Sequence, residues 1–173
     1  MKRPPLSLQA RALVWLAQRE QSRSELRRKL LRAASLQFAA AEGSDPGDPS
    51  RGEPSTEVES LLDSLQAKGL LCEERFVEGR VRARAPGLGT RRIEMELARH
   101  GLKLAPQPLQ QLRDSELQRA TLLWARKFGA AAEDAKAHAR QMRFLAGRGF
   151  SGEVIRRVVP PAAWRQADDP QAD

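Results

Sequence analysis

"WLAQREQS" at Trp15–Ser22 and "FLAGRGFS" at Phe144–Ser151 share aromatic, Leu, Ala, one free position, Arg, two free positions and Ser. The flanks repeat as well. Leu26 and Leu30 stand four and eight residues after Ser22, and Ile155 and Val159 stand at the same distances after Ser151. That spacing places each pair on one face of a helix whose first turn the serine can cap. Glu25, three residues after Ser22, completes a capping-box pattern. A third, eroded copy has Gly89 of "PGLG" in the serine position, with Ile93 and Leu97 behind it. An apolar stretch precedes each corner: Ala12, Leu13, Leu16; Phe76, Val77, Val81; Ala139, Met142, Leu145. Three copies of helix, tight corner and helix are therefore expected.

Working outward, almost every periodic segment reads as helix. Expected spans are 7–20, about 23–34, a helix over "EVESLLDSLQAKGLL" opened by Thr56 with Glu59, about 73–85, 90–99, a short one around Leu109 and Leu112, one through Leu117, Ala120, Trp124 and Phe128, about 132–146, and 152–159. Gly69, Gly101 and Gly129 serve as stops. No β-hairpin signal interrupts them. The expected class is all-α: about nine helices in three tandem three-helix units, forming an elongated, curved molecule. The first unit spans 1–71 and carries a flexible acidic Gly/Pro/Ser insertion at 39–55. The second spans 72–113, the third 114–162, and 163–173 forms a frayed tail. Residues 40–54 within it should be dispensable for folding, because each doubling of a loop adds only ~0.6 kcal/mol.

The net charge of the 173 residues is +8, and 24 of the 30 basic residues are Arg. Guanidinium groups make planar, bidentate contacts to phosphate or carboxylate. They cluster on the copies: residues 19–32, 75–92 and 140–157 each hold five or six basic side chains. Three clusters in register suggest a partner that is negatively charged along its length. Around the middle corner "APGLG", Arg82, Arg84, Arg91 and Arg92 should form one patch. Arg91 and Arg92 fall in a helix's first turn, opposing its dipole, so an anionic partner would offset their cost.

Little else offers chemistry. One cysteine, Cys72, precludes a disulfide framework, and adjacent Glu73 and Glu74 disfavour its thiolate. With only His100 and His138 beside it, no zinc site is expected; both read as helix-end or face residues. The "GLG" of Gly87–Gly89 lacks the rest of a phosphate loop. Trp15, Phe76, Trp124 and Phe144 sit on helical stripes and read as core. No apolar run approaches the ~18 residues a membrane span needs, and "MKRPPLSLQA" lacks a secretory h-region. A cytoplasmic protein with no catalytic residues, metal or cofactor is expected.

The stretch "GLLCEERFVEGRVRARAPGLGTRRIEMELARHGL" resembles the RecX family, regulators of the bacterial recombinase RecA. Arg84, Gly87, Gly89, Arg92, Ile93, Glu96, Leu97 and Gly101 follow the family's central pattern. Ala12, Leu16, Arg19, Ser22, Glu25, Leu26, Lys29 and Leu30 follow its N-terminal pattern, and Arg143, Phe144, Leu145, Arg148, Gly149, Phe150 and Ile155 its C-terminal one. The chain departs at Cys72-Glu73, where paired Asp is usual, at Pro86 in place of a corner Lys, and at Arg80 in place of an aromatic. The resemblance implies a monomeric, non-enzymatic modulator that lies in the groove of the RecA–DNA filament. It would curb ATP hydrolysis and strand exchange and act in recombination, repair and the SOS response. Single- and double-stranded DNA would be weaker partners, and no membrane is expected. Its expected contact residues are Arg19, Arg27, Arg28, Arg82, Arg84, Arg91, Arg92, Arg143, Arg148 and Arg156. A sequence-nonspecific DNA-binding protein is the alternative, and a basic helical scaffold for an acidic protein the plainest reading.

Overall fold

The serine positions that mark the repeat are helix caps in the computed structural model, which describes residues 6–40 and 54–161. Ser22 Oγ accepts from the backbone N–H of Glu25 at 3.1 Å, and Ser151 Oγ accepts from that of Val154 at 3.2 Å. Behind them Leu26, Leu30, Ile155 and Val159 are all buried, as are Ile93 and Leu97 behind Gly89. Among the described residues the chain is all-α, with nine helices: α1 Leu8–Gln18, α2 Arg23–Ala40, α3 Pro54–Ala67, α4 Glu73–Arg84, α5 Thr90–Ala98, α6 Pro106–Asp114, α7 Glu116–Lys127, α8 Ala135–Gly147 and α9 Gly152–Val158.

Two compact units divide after Gly79, inside α4. In the first, Leu8 and Ala12 of α1 pack with Leu26, Leu30, Ala33 and Ala34 of α2 and with Val58, Leu62 and Leu65 of α3. The α1 stripe differs from the expected one: Leu13 is exposed, and Trp15 and Leu16 border the core instead. A repeat of 3.6 carries Leu8 and Ala12 to Trp15 and Leu16, with Leu13 off the face. Gly69 closes α3 in the left-handed region, at φ +66°, as its position suggested. In the second unit Ala120 and Leu123 of α7, Leu145 of α8 and Ile155 and Val158 of α9 form the core with Phe150 and Val159.

Two boundaries differ from expectation. α2 continues past Ala34 to Ala40, so 39–40 are helical, and in this extension Gln37 Nε2 donates to the Leu6 carbonyl at 2.9 Å. α3 starts at Pro54, a residue suited to a first helical turn, so 54–55 are helical too. Thr56 therefore lies inside α3, and Glu59 pairs with Arg23 and Arg27 of α2 rather than closing a capping box. The remainder of the expected insertion (41–53) and the whole of the expected tail (163–173) lie outside the described residues.

Replacing Ser22 by Ala should destabilise the first unit by about 1 kcal/mol through loss of the cap. Chemical denaturation measures this directly. A loss of several kcal/mol would contradict a role confined to capping.

Candidate basic interface

The middle and last corners meet backbone to backbone. Gly89 N–H donates to the Arg148 carbonyl at 2.9 Å. A Cβ on Gly89 would lie 2.2 Å from the Gly149 carbonyl oxygen. One on Gly149, whose φ is +80°, would lie 2.7 Å from Arg92 N. The glycines of "PGLG" and "GRGFS" thus do more than turn the chain: they let two copies touch. Neither could do so with a side chain.

Glu116, at the start of α7, locks this junction. It is buried and accepts from Thr90 N–H at 3.3 Å, Thr90 Oγ1 at 3.1 Å and Ser151 N–H at 3.3 Å. One carboxylate thereby serves the N-terminal ends of both α5 and α9. It also supplies, from inside, the negative charge that Arg91 and Arg92 need in the first turn of α5. Three residues on, Arg119 donates to the carbonyls of Ala85 (2.7 Å), Leu88 and Leu112 (2.8 Å), satisfying groups where α4 and α6 end. Burial pushes its guanidinium pKa down, partly countered by Glu116. Nothing local in the sequence marked Glu116 or Arg119. Each reaches partners more than twenty residues away, as the separations of 26 residues between Thr90 and Glu116 and 34 between Ala85 and Arg119 illustrate.

The ten expected contact arginines have divergent surroundings. Arg19 holds Glu25 across the first corner, and Arg27 holds Glu59 on α3. Arg84 pairs with Glu96 at 3.1 Å, tying α4 to α5. The half-buried Arg92 has its backbone against Gly149. Arg148, equivalent to Arg19 in the repeated phrase, stacks on Phe144 with 3.7 Å from guanidinium carbon to ring centre. In the first copy Lys29 sits over the equivalent Trp15 at 5.6 Å. Arg28, Arg82, Arg91, Arg143 and Arg156 are exposed and form no ion pair among the described residues. The four arginines expected in one patch around "APGLG" take separate roles. Arg82 lines a groove with Arg119 and Arg126, and Arg91 lines a different cleft with Arg113, Arg157 and four carboxylates. Reversing Arg84 would set two carboxylates together, so it would test folding rather than binding.

The aromatic residues are mostly occupied. Phe76 is buried, Trp124 Nε1 donates to Gln141 Oε1 at 2.8 Å, and Phe144 meets Phe128 edge to face at 5.2 Å. Cys72 Sγ donates to Glu74 Oε2 at 3.2 Å. His100 Nε2 lies 3.4 Å from an Arg80 nitrogen. Among the described residues, no cluster of His, Cys, Asp or Glu could hold a metal ion, and no helix is long and apolar enough to cross a membrane.

Glu25 makes the first corner sensitive to acid. Burial raises its carboxyl pKa, but hydrogen bonding from Arg19 and the charges of Arg19 and Lys29 outweigh this and set it below 4.5. Its folded value lies below its unfolded one, so the stabilisation is present above about pH 4.5 and is lost as pH falls through the lowered value. Acid titration of the first unit should show this loss, and Glu25→Gln should flatten it. An unchanged acid limb in that variant would place the sensitivity elsewhere.

Against known proteins, residues 114–159 match the family model for the third three-helix domain of RecX. The chain is 44% identical over 159 residues to "Regulatory protein RecX" of Leptothrix cholodnii (strain ATCC 51168 / LMG 8142 / SP-6), covering 91% of this chain and 90% of that protein. It is 41% identical over 172 residues to the protein of the same name from Herbaspirillum seropedicae, covering 98% and 99%. The crystal structure of RecX from Lactobacillus salivarius is similar in fold, with a TM-score of 0.54, 14% identity and coverage of 87% of this chain and 91% of that one.

Proposed function

This chain belongs to the RecX family of regulatory proteins, and we propose that it is a regulator, mainly an inhibitor, of the RecA recombinase. It binds the groove of the RecA–DNA filament and limits ATP hydrolysis, strand exchange and filament growth. It acts in the cytoplasm as a monomer, in recombination, DNA repair and the SOS response. Family membership over nine-tenths of the chain is the observation that carries this reading. Its relatives are named as regulatory proteins, not as enzymes.

The three helix–corner–helix copies form units of 1–71, 72–113 and 114–162, set against a partner that itself repeats. Each carries an exposed arginine that forms no ion pair among the described residues, exemplified by Arg28, Arg91 and Arg156. Individually weak contacts then add through a raised effective concentration. Arg82 and Arg143 are further exposed cations available to the partner. Arg19, Arg27, Arg84, Arg92 and Arg148 contribute chiefly by shaping the corners, with any contact to the partner made by the part of the guanidinium left free.

Titration of the purified protein against RecA alone, DNA alone and assembled filament tests the reading. Binding should be much tighter to filament than to DNA at equal salt. Pure phosphate contact instead predicts a log–log salt slope of about −0.7 to −0.9 per contact and similar affinity for naked DNA. That result would transfer the function to sequence-nonspecific DNA binding.

A further inference from the structure

On the second unit, a groove of about 630 Å³ runs between the C-terminal end of α4 and one face of α7. Its lining is Arg82, Ala85 and Pro86 on one side and Arg119, Leu122, Leu123 and Arg126 on the other. Residues 119, 122, 123 and 126 share a helical face by their spacing. Leu122 is 64% exposed, an isolated apolar side chain among arginines. A single exposed leucine is ordinary. This one continues a floor formed by Ala85, Pro86 and Leu123, and the floor has a cation on either side.

The cations distinguish this groove from the first unit. There Arg19, Arg23, Arg27 and Arg75 each meet an internal carboxylate. No carboxylate lies within ion-pair reach of Arg82, Arg119 or Arg126 among the described residues. Arg119 is committed to three carbonyls and forms a fixed positive wall, whereas Arg82 and Arg126 are exposed and can reach outward.

We propose that this groove captures a short acidic, amphipathic segment of a protein partner. A leucine-like side chain of that segment covers Leu122, while carboxylates on its flanking turns pair with Arg82 and Arg126. An apolar helix face in a groove with charges at the margins is a common mode of peptide recognition. A nucleic-acid strand fits the same charge less well. The guanidinium groups could take phosphates, but no aromatic ring lines the groove for bases to stack on, and a strand would leave its aliphatic floor uncovered.

The proposal shares only Arg82 with the arginines set against the filament, and its test contains neither recombinase nor DNA filament, so either reading can fail without the other. Fluorescence anisotropy would follow the full chain binding a labelled acidic peptide with one leucine between glutamate-bearing turns. A second peptide would carry serine for that leucine. Removing one well-placed apolar side chain should weaken binding about tenfold or more. Leu122→Ser should erase the difference between the peptides, and Arg126→Glu should weaken both, with helicity and melting unchanged. Absence of peptide binding, equal binding of the two peptides, or a difference that survives Leu122→Ser would each overturn the proposal. So would an oligothymidine that displaces the peptide at a comparable concentration, which would make the groove a nucleic-acid site.

Discussion

Gly89→Ala is expected to cost more than about 4 kcal/mol, placing it among the most disruptive single changes a folded unit can suffer. The added methyl carbon would sit 2.2 Å from the Gly149 oxygen and 2.3 Å from both the Gly149 carbonyl carbon and Phe150 N. These are backbone atoms, so no rotamer change relieves the overlap. Retreat is blocked, because Gly149 is itself held against Arg92 N and Cβ. Separating the corners would also break the Gly89–Arg148 hydrogen bond and draw Thr90 and Ser151 away from Glu116. Gly87→Ala is the control, since a Cβ there meets nothing within 4 Å. Urea denaturation followed by circular dichroism and by tryptophan fluorescence should separate the two variants clearly. Equal stability would mean that the corners do not meet as described.

Simultaneous reversal of Arg28, Arg91 and Arg156 to Glu should remove regulation while preserving the fold. Each side chain is exposed and belongs to a different copy, with no ion pair to lose. Additive contacts on a repeating partner imply that the single reversals act weakly. The triple should raise the concentration needed to inhibit RecA ATP hydrolysis by about 100-fold or more, because avidity of this order is lost with the linked contacts. Thermal melting of the variant should match the parent. Undiminished inhibition would remove these arginines from the interface. Reversal at Arg19 or Arg27 is expected to differ in kind, lowering stability first by opposing Glu25 or Glu59.

What could be read in advance was local. Ser22 and Ser151 announced their caps because the N–H groups they satisfy are three residues away. The apolar positions behind them declared their burial because a helix has a fixed period. Other features needed tertiary structure. α2 outlasted its expected end near Ala34, and Gln37 in the added turns reaches back to the Leu6 carbonyl, a contact intrinsic preference does not encode. Glu59 carried the signature of a capping box, yet Arg23 and Arg27 offered it stronger, charged partners. The contact arginines posed the hardest problem. Position in the repeat could group Arg19 with Arg148, but only their surroundings reveal that one grips a carboxylate and the other lies on a phenyl ring. Glu116 and Arg119 were illegible for the same reason, since they act on partners remote in sequence.

Glu116 also imposes an order on synthesis. Thr90 emerges 26 residues ahead of the carboxylate that receives its N–H, and Gly89 emerges before the strand of backbone it must touch. A nascent chain carrying only the first two copies therefore holds an unfinished middle corner, with two first-turn arginines and no acid to steady them. The last copy to leave the ribosome is the one that completes its predecessor.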